Sequence, residues 1–201
     1  MTIMNEMPPV GHRVTKGQVW HIGKFNQQEL LPQLPKPGGS QINQDWYSHK
    51  MEKLIQEIYF RPFTTIKPSK WVRTWNVLLL VGLEEAAKRD IAQTSSSIRY
   101  IRLGTDGTAE NESQTGLITG TGNWKEYAVS GARSVASGTQ TAKYSMIFLD
   151  TDGYALPVTL REGSQNTLNP GIAHSRVQFP DFLLSSGEAI LTQINETLVN
   201  G

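Results

Sequence analysis

The residues of this chain that are able to carry chemistry do not fall into the spacings that the common reactions require. Asp150-Thr-Asp-Gly153 opens like a calcium loop and Asp106-Gly107 repeats part of it, yet neither is followed by the glutamate that closes such a loop at its twelfth position. Both read as hairpin turns. Residues 116–122 (GLITGTG) are glycine-rich without the glycine order of a phosphate loop and without a helix pattern behind them, so they read as a flexible loop. His12, His21, His49 and His174 stand far apart with no zinc spacing, and no GxSxG elbow occurs. Glu110 with Glu112, and Glu162 with Asp181, are the carboxylate pairs a glycosidase would need, but carboxylates are common and their separation is not written in the sequence. The expectation is no enzyme activity, no catalytic residue, no cofactor and no metal.

Lys50, Lys53, Arg61, Lys67, Lys70 and Arg73 are interleaved with Tyr59, Phe60, Trp71 and Trp75, the mixture that a nucleic-acid groove uses. Solvated helix faces and core aromatics give the same mixture. With a formal net charge of +1 there is no whole-molecule field to attract a polyanion, so nucleic acid is not the expected partner. The charge is uneven along the chain: residues 1–97 hold 12 Lys and Arg against 8 Asp and Glu, and residues 98–201 hold 7 against 10. That asymmetry reads first as a solvated surface and second as a means for like subunits to pack head to tail.

The chain has 201 residues and no cysteine, which excludes disulfides and thiolate metal sites and points to synthesis in a reducing cytoplasm. Residues 1–10 lack the apolar centre of a secretory signal. The longest apolar run, 77–83, is too short to span a bilayer, so the chain is expected to be soluble with no membrane partner. Its length suits one sizeable core.

Three segments follow from composition. Residues 1–43 hold five of the ten prolines and the Gly38-Gly39 pair, and read as an extended arm with one short strand at 18–22. Its large apolar residues Trp20, Phe25, Leu30 and Leu31 need burial, and a neighbouring subunit is the expected site for them, with packing on the same domain the alternative. Residues 44–97 read as helical. Met51, Leu54, Ile55 and Ile58 have helical spacing in 44–60, and Leu79, Leu83, Ala86, Ala87 and Ile91 share one face of a second helix over 75–92.

From Thr94 to Thr141, 22 of 48 residues are Gly, Ser or Thr, and short apolar runs recur between turn signals up to residue 194. Residues 98–201 therefore read as a β-domain, and the fold class as mainly β, an antiparallel β-sandwich preceded by two helices and an extended N-terminal arm.

Residues 100–109 (YIRLGTDGTA), arriving after the 77–93 helix pattern and a Thr-Ser linker, resemble virion proteins of tailed bacteriophages, in which a helix leads into a strand, a GTGGTAP-like loop and a β-sandwich. Glu110 stands in place of the usual proline. The resemblance spans roughly residues 77–195 and implies a non-enzymatic structural subunit of the virion, in the neck, tail or fibre-attachment region. Its implied partners are copies of itself and other virion proteins, and its place is the virion after synthesis in the host cytoplasm. Two other roles compete: a capsid decoration or cement protein, and a carbohydrate-binding module presenting Trp124 and Tyr127.

Overall fold

The computed structural model describes residues 13–34, 50, 53–54, 56–58, 66–90, 97–127, 131–135, 141–167 and 171–200. Its strands in chain order are β1 (Arg13–Asn26), β2 (Lys70–Trp75), β3 (Val77–Leu78), β4 (Tyr100–Gly104), β5 (Gly120–Glu126), β6 (Gly131–Val135), β7 (Thr141–Leu149), β8 (Val158–Asn166), β9 (Ala173–Leu184) and β10 (Glu188–Asn200). They form two antiparallel sheets, ordered β2-β1-β10-β7-β6 and β3-β9-β8-β4-β5. The chain is thus mainly β, as its short apolar runs and turn residues lead one to expect.

Period-two alternation decides which side chains meet between the sheets. Trp20, Ile22, Met146, Phe148, Ile190 and Ile194 of the first sheet share one core with Ile101, Leu103, Leu160, Val177, Phe179 and Phe182 of the second. Gly163 of β8 makes room for the largest of them. A Cβ at this position would lie 2.8 Å from the Trp20 ring.

A second cluster lies on the back of the first sheet, where Phe25, Ala189, Leu191 and Ile147 meet Leu30, Ile58 and Ile66. The described residues between 50 and 58 are helical, and Leu54 also packs on this cluster. Met51 and Ile55 of the expected helix lie outside the described residues.

Residues 13–26 are not an arm. They form a strand inside the first sheet, paired from Arg13↔Asn200 to Asn26↔Glu188 on one side and from Val19↔Trp75 to Lys24↔Lys70 on the other. Trp20, Phe25 and Leu30 are each exposed by 1% or less and belong to this chain's own cores; of the four expected subunit anchors only Leu31 is exposed. Because both faces of β1 are covered, apolar residues occur at both parities and the strand signal in the sequence is blurred. The boundary expected at residue 97 likewise disappears, since β1 and β2 share a sheet with β7 and β10.

The helix expected over 75–92 is shorter. Residues 77–78 pair with Arg176 and Ser175 as β3, and the helix runs Leu80–Asp90. Helical periodicity loses here to a tertiary tie. Asn76 exchanges main-chain and side-chain hydrogen bonds with Gln18, with Asn76 N donating to Gln18 O (3.1 Å) and Gln18 N to Asn76 Oδ1 (2.9 Å). Leu79 is buried, but Leu83 of the expected apolar face is exposed. The helix sits on β9 through Gly82, where a Cβ would fall 2.3 Å from the His174 carbonyl oxygen.

Deleting residues 1–43 is expected to abolish cooperative unfolding, because it removes the strand that joins β2 to β10. Trp20→Ala, which keeps the backbone, should cost about 3–5 kcal/mol in urea titration. A deletion protein with an unchanged thermal transition contradicts this account.

Candidate interaction surface

The sequence KWVRTW of β2 alternates, and the two parities have different fates. Val72 packs against the central core, while Trp71, Arg73 and Trp75 stand exposed on the outer face. Trp71 is 43% exposed and Trp75 62%. Such area is unusual for the largest apolar side chain. Successive members of the strip are about 7 Å apart by strand geometry.

The strip is held in place from below. Lys70 Nζ donates to the Asp181 carbonyl and lies 4.9 Å from the Phe182 ring centroid, and the Thr74 hydroxyl donates to Gln178 O at 3.4 Å. Both contacts fasten β2 to β9 across the side of the two-sheet stack. On the outer face the Trp71 ring lies 5.9 Å from the His21 ring, and the Arg73 guanidinium stacks 5.7 Å from the Trp75 centroid.

Burial first, and the charge of Arg73 second, push the His21 imidazole down to about 4. His21 is therefore neutral at pH 7, and Arg73 supplies the positive charge of the strip. Among the described residues no carboxylate forms an ion pair with Arg73.

The other groups singled out for chemistry have structural uses. Glu162 and Arg176 form an ion pair at 2.8 Å with both side chains fully buried. Glu162 also accepts from Ile118 N (3.1 Å) and Thr119 N (2.8 Å), while Arg176 donates to Gln114 Oε1 (2.9 Å) and Thr108 O (3.0 Å). The glycine-rich loop thus offers its amides to an internal carboxylate rather than a phosphate, and its second half is β5 rather than a flexible loop. Asp181 pairs instead with Arg161 at 2.8 Å, so Glu162 and Asp181 do not form a catalytic couple. Glu110 accepts from Gln178 N (2.6 Å), and the Glu112 carbonyl accepts from Leu80 N (2.9 Å).

Asp152 accepts from Lys125 Nζ (2.5 Å) and Leu149 N (2.7 Å), and Asp150 from Gly187 N (2.7 Å), which makes this segment a turn lock. Gly153 there has φ +79°, a conformation that suits glycine. Asp106 caps a local turn by accepting from Thr108 N at 2.7 Å, within a long loop rather than the hairpin expected from Asp106-Gly107.

His174 sits at a β-bulge, where Gln165 pairs with Ser175 but Asn166 pairs with Ala173. Its Nε2 lies 3.0 Å from Glu196 Oε1. The Ser175 hydroxyl donates to Gln18 Oε1 (2.7 Å) and to Gln165 Oε1 (3.3 Å) rather than to His174, so no Ser-His-carboxylate relay forms. His12 and His49 lie outside the described residues.

Trp124 and Tyr127 do not form the paired exposed platform expected of a sugar-binding face. Tyr127 is 1% exposed with its hydroxyl accepting from Gln165 Nε2 (3.1 Å), and Trp124 is half-buried under Arg102, whose guanidinium lies 5.5 Å from its ring. Sequence reasoning read Trp71 and Trp75 only as part of a basic stretch. The period-two order of W-V-R-T-W is the signal that places them together.

No protein-family profile, curated protein or solved structure matches this chain.

Glu162→Gln should cost about 3–5 kcal/mol by leaving the Arg176 charge buried without its partner. The double variant Glu162→Leu with Arg176→Met should recover much of that loss in denaturant titrations. A second expectation concerns acid. Between pH 6.5 and about 4 the unfolded chain takes up a proton that folded His21 refuses, so stability falls as pH falls through that window. His21→Gln should flatten this slope, measured as the urea midpoint against pH.

Proposed function

We propose that this chain is a non-enzymatic structural subunit of a tailed-phage virion, in the neck, tail or fibre-attachment region, and that it works by subunit contact through the outer strip of β2. One observation carries the reading. Trp71, Arg73 and Trp75 stand exposed on one face of a strand anchored to β9, while the buried charges are engaged within the chain. Tryptophan and arginine are the side chains that contribute most when a protein surface is covered, because each brings large area or several donors at little cost in flexibility. A rigid strand presenting both is suited to docking. The phage-like run at residues 100–109 supports the particle assignment, and other virion proteins and further copies of this chain are the partners it implies.

The test is composition of purified particles by mass spectrometry, with wild-type chain and with Trp75→Ser. The wild-type chain is expected at a fixed copy number. The variant should keep its unfolding free energy within about 0.5 kcal/mol, since the side chain is exposed, yet enter particles about tenfold less well, as loss of an interface anchor implies. Absence of the chain from particles, or equal incorporation of the variant, overturns the reading.

A further inference from the structure

The register between β4 and β5 breaks at one place. Ile101 pairs with Lys125 and Leu103 with Thr121, so Arg102 alone stands against Gly122, Asn123 and Trp124. A bulge at the edge of a sheet re-aims the side chains around it. This one is braced from behind. Asn123 N donates to Asp152 O (2.8 Å). Gly122, with φ +65°, lies so close to the Tyr154 ring that a Cβ would fall 2.5 Å from it.

Ile101 and Leu103 point into the central core, so Arg102 emerges on the outer face of the second sheet. Its Nε donates to Gly122 O (3.1 Å) and Thr121 O (3.4 Å). A Cβ on Gly120 would be 3.1 Å from Cζ, 3.1 Å from Nη1 and 3.2 Å from Nε, near-equal distances that lay the flat face of the guanidinium over that glycine. The Trp124 ring lies 5.5 Å from Cζ. These contacts hold the side chain, yet its two terminal nitrogens donate to no acceptor among the described residues. The neighbouring carboxylates are engaged elsewhere, Asp152 with Lys125 (2.5 Å) and Glu126 with Arg99 (2.9 Å). The Trp124 indole N–H and the Asn123 side-chain amide also have no protein acceptor among the described residues.

An ordinary surface ion pair is weak because forming it immobilises a long side chain. Arg102 is held before any ligand arrives. With Nε turned to the backbone, its two terminal nitrogens are the edge left free, and that edge matches the paired oxygens of a carboxylate. The indole N–H and the amide beside it call for further oxygen acceptors. We infer that the β4–β5 bulge binds a sugar acid, whose carboxylate takes the terminal nitrogens of Arg102 and whose hydroxyl oxygens accept from Trp124 and Asn123. Recognition rests on an ion pair and hydrogen bonds, so it needs no second exposed ring. An acidic side chain of a protein would fill the Arg102 fork and leave the other two donors unpaired. The site lies on the second sheet and is independent of the β2 strip.

The experiment titrates the full chain with glucuronate and follows the Trp124 indole N–H by heteronuclear NMR, the resonance being assigned with Trp124→Phe. Glucose, acetate, inorganic phosphate and an end-blocked Ala-Glu-Ala peptide serve as comparisons at one ionic strength, which keeps screening constant. Glucuronate should shift the resonance to saturation. It should bind at least about tenfold more tightly than glucose, which lacks the carboxylate, and than acetate, which lacks the hydroxyls. Arg102→Lys keeps the charge without the fork and should weaken glucuronate about tenfold. Should that variant lower the unfolding temperature, Asn123→Ala carries the test at an exposed side chain, with a loss of about threefold expected. Equal binding of glucose, acetate or the peptide overturns the inference, as does tighter binding of phosphate. Wild-type affinity in both variants overturns it too, and so does the absence of any shift at about 50 mM glucuronate, far above the roughly millimolar affinity that one ion pair with a few hydrogen bonds implies.

Discussion

The long antiparallel ladder between β1 and β10 ties the start of the described chain to its end, and the remaining architecture hangs on it. Through β1 it carries β2 on one side, and through β10 it carries β7 and β6 on the other. Trp20 projects from the middle of this ladder into the space left by Gly163, so one large ring locks the two sheets together. The contact works only because the opposing position lacks a side chain. Close packing makes the pair jointly specific, since a gap or a clash of a single carbon is felt in a protein interior.

The polar interior has a different task from the apolar one. Buried charge is tolerated only with partners, and the Glu162 and Arg176 side chains are supplied with them almost wholly by one long loop. That loop connects β4 to β5 and has little apolar content, so hydrophobic burial alone does not determine its path. Its amides and carbonyls find fixed positions by closing around the ion pair. The same logic applies at the end of the stack, where Gln18, Asn76 and Ser175 satisfy one another and set the point at which the chain leaves the first sheet for β3. Specificity of chain path is thus provided by hydrogen bonds whose loss would strand buried polar groups.

These ties explain why the outer face of β2 is a coherent surface. Thr74 and Lys70 reach inward to β9 and fix the strand, which leaves the odd residues facing out in a rigid row. A mobile segment would lose the benefit of exposed tryptophan to the entropy of ordering it on contact. A strand already held by its sheet and by β9 does not. The neutral state of His21 beside the row keeps positive charge confined to Arg73.

Part of this was legible in the residues. Short apolar runs between Asp-Gly and Ser-Gly pairs determined the β character of the chain beyond residue 98, because turn chemistry and alternation act over a few residues. The absence of cysteine, of metal spacing and of a phosphate loop was equally a local property. What the tertiary structure alone decided was long-range. β1 lies in a proline-bearing segment whose pairing partner is nearly the whole chain away, so no local window reveals that Trp20, Phe25 and Leu30 belong to an internal core. Residues 75–78 fall within the span expected to be helical, yet residue 75 ends β2 and residues 77–78 pair with β9, because the hydrogen bonds gained there and at Asn76 outweigh a weak local preference. Glu162 gave no sign of its partner, since an ion pair across adjacent strands depends on register, and register is set by the packing of every side chain on the face. The exposure of Trp71 and Trp75 was likewise undecided in the sequence: an alternating strand has two faces, and only the position of the second sheet determines which one meets the solvent.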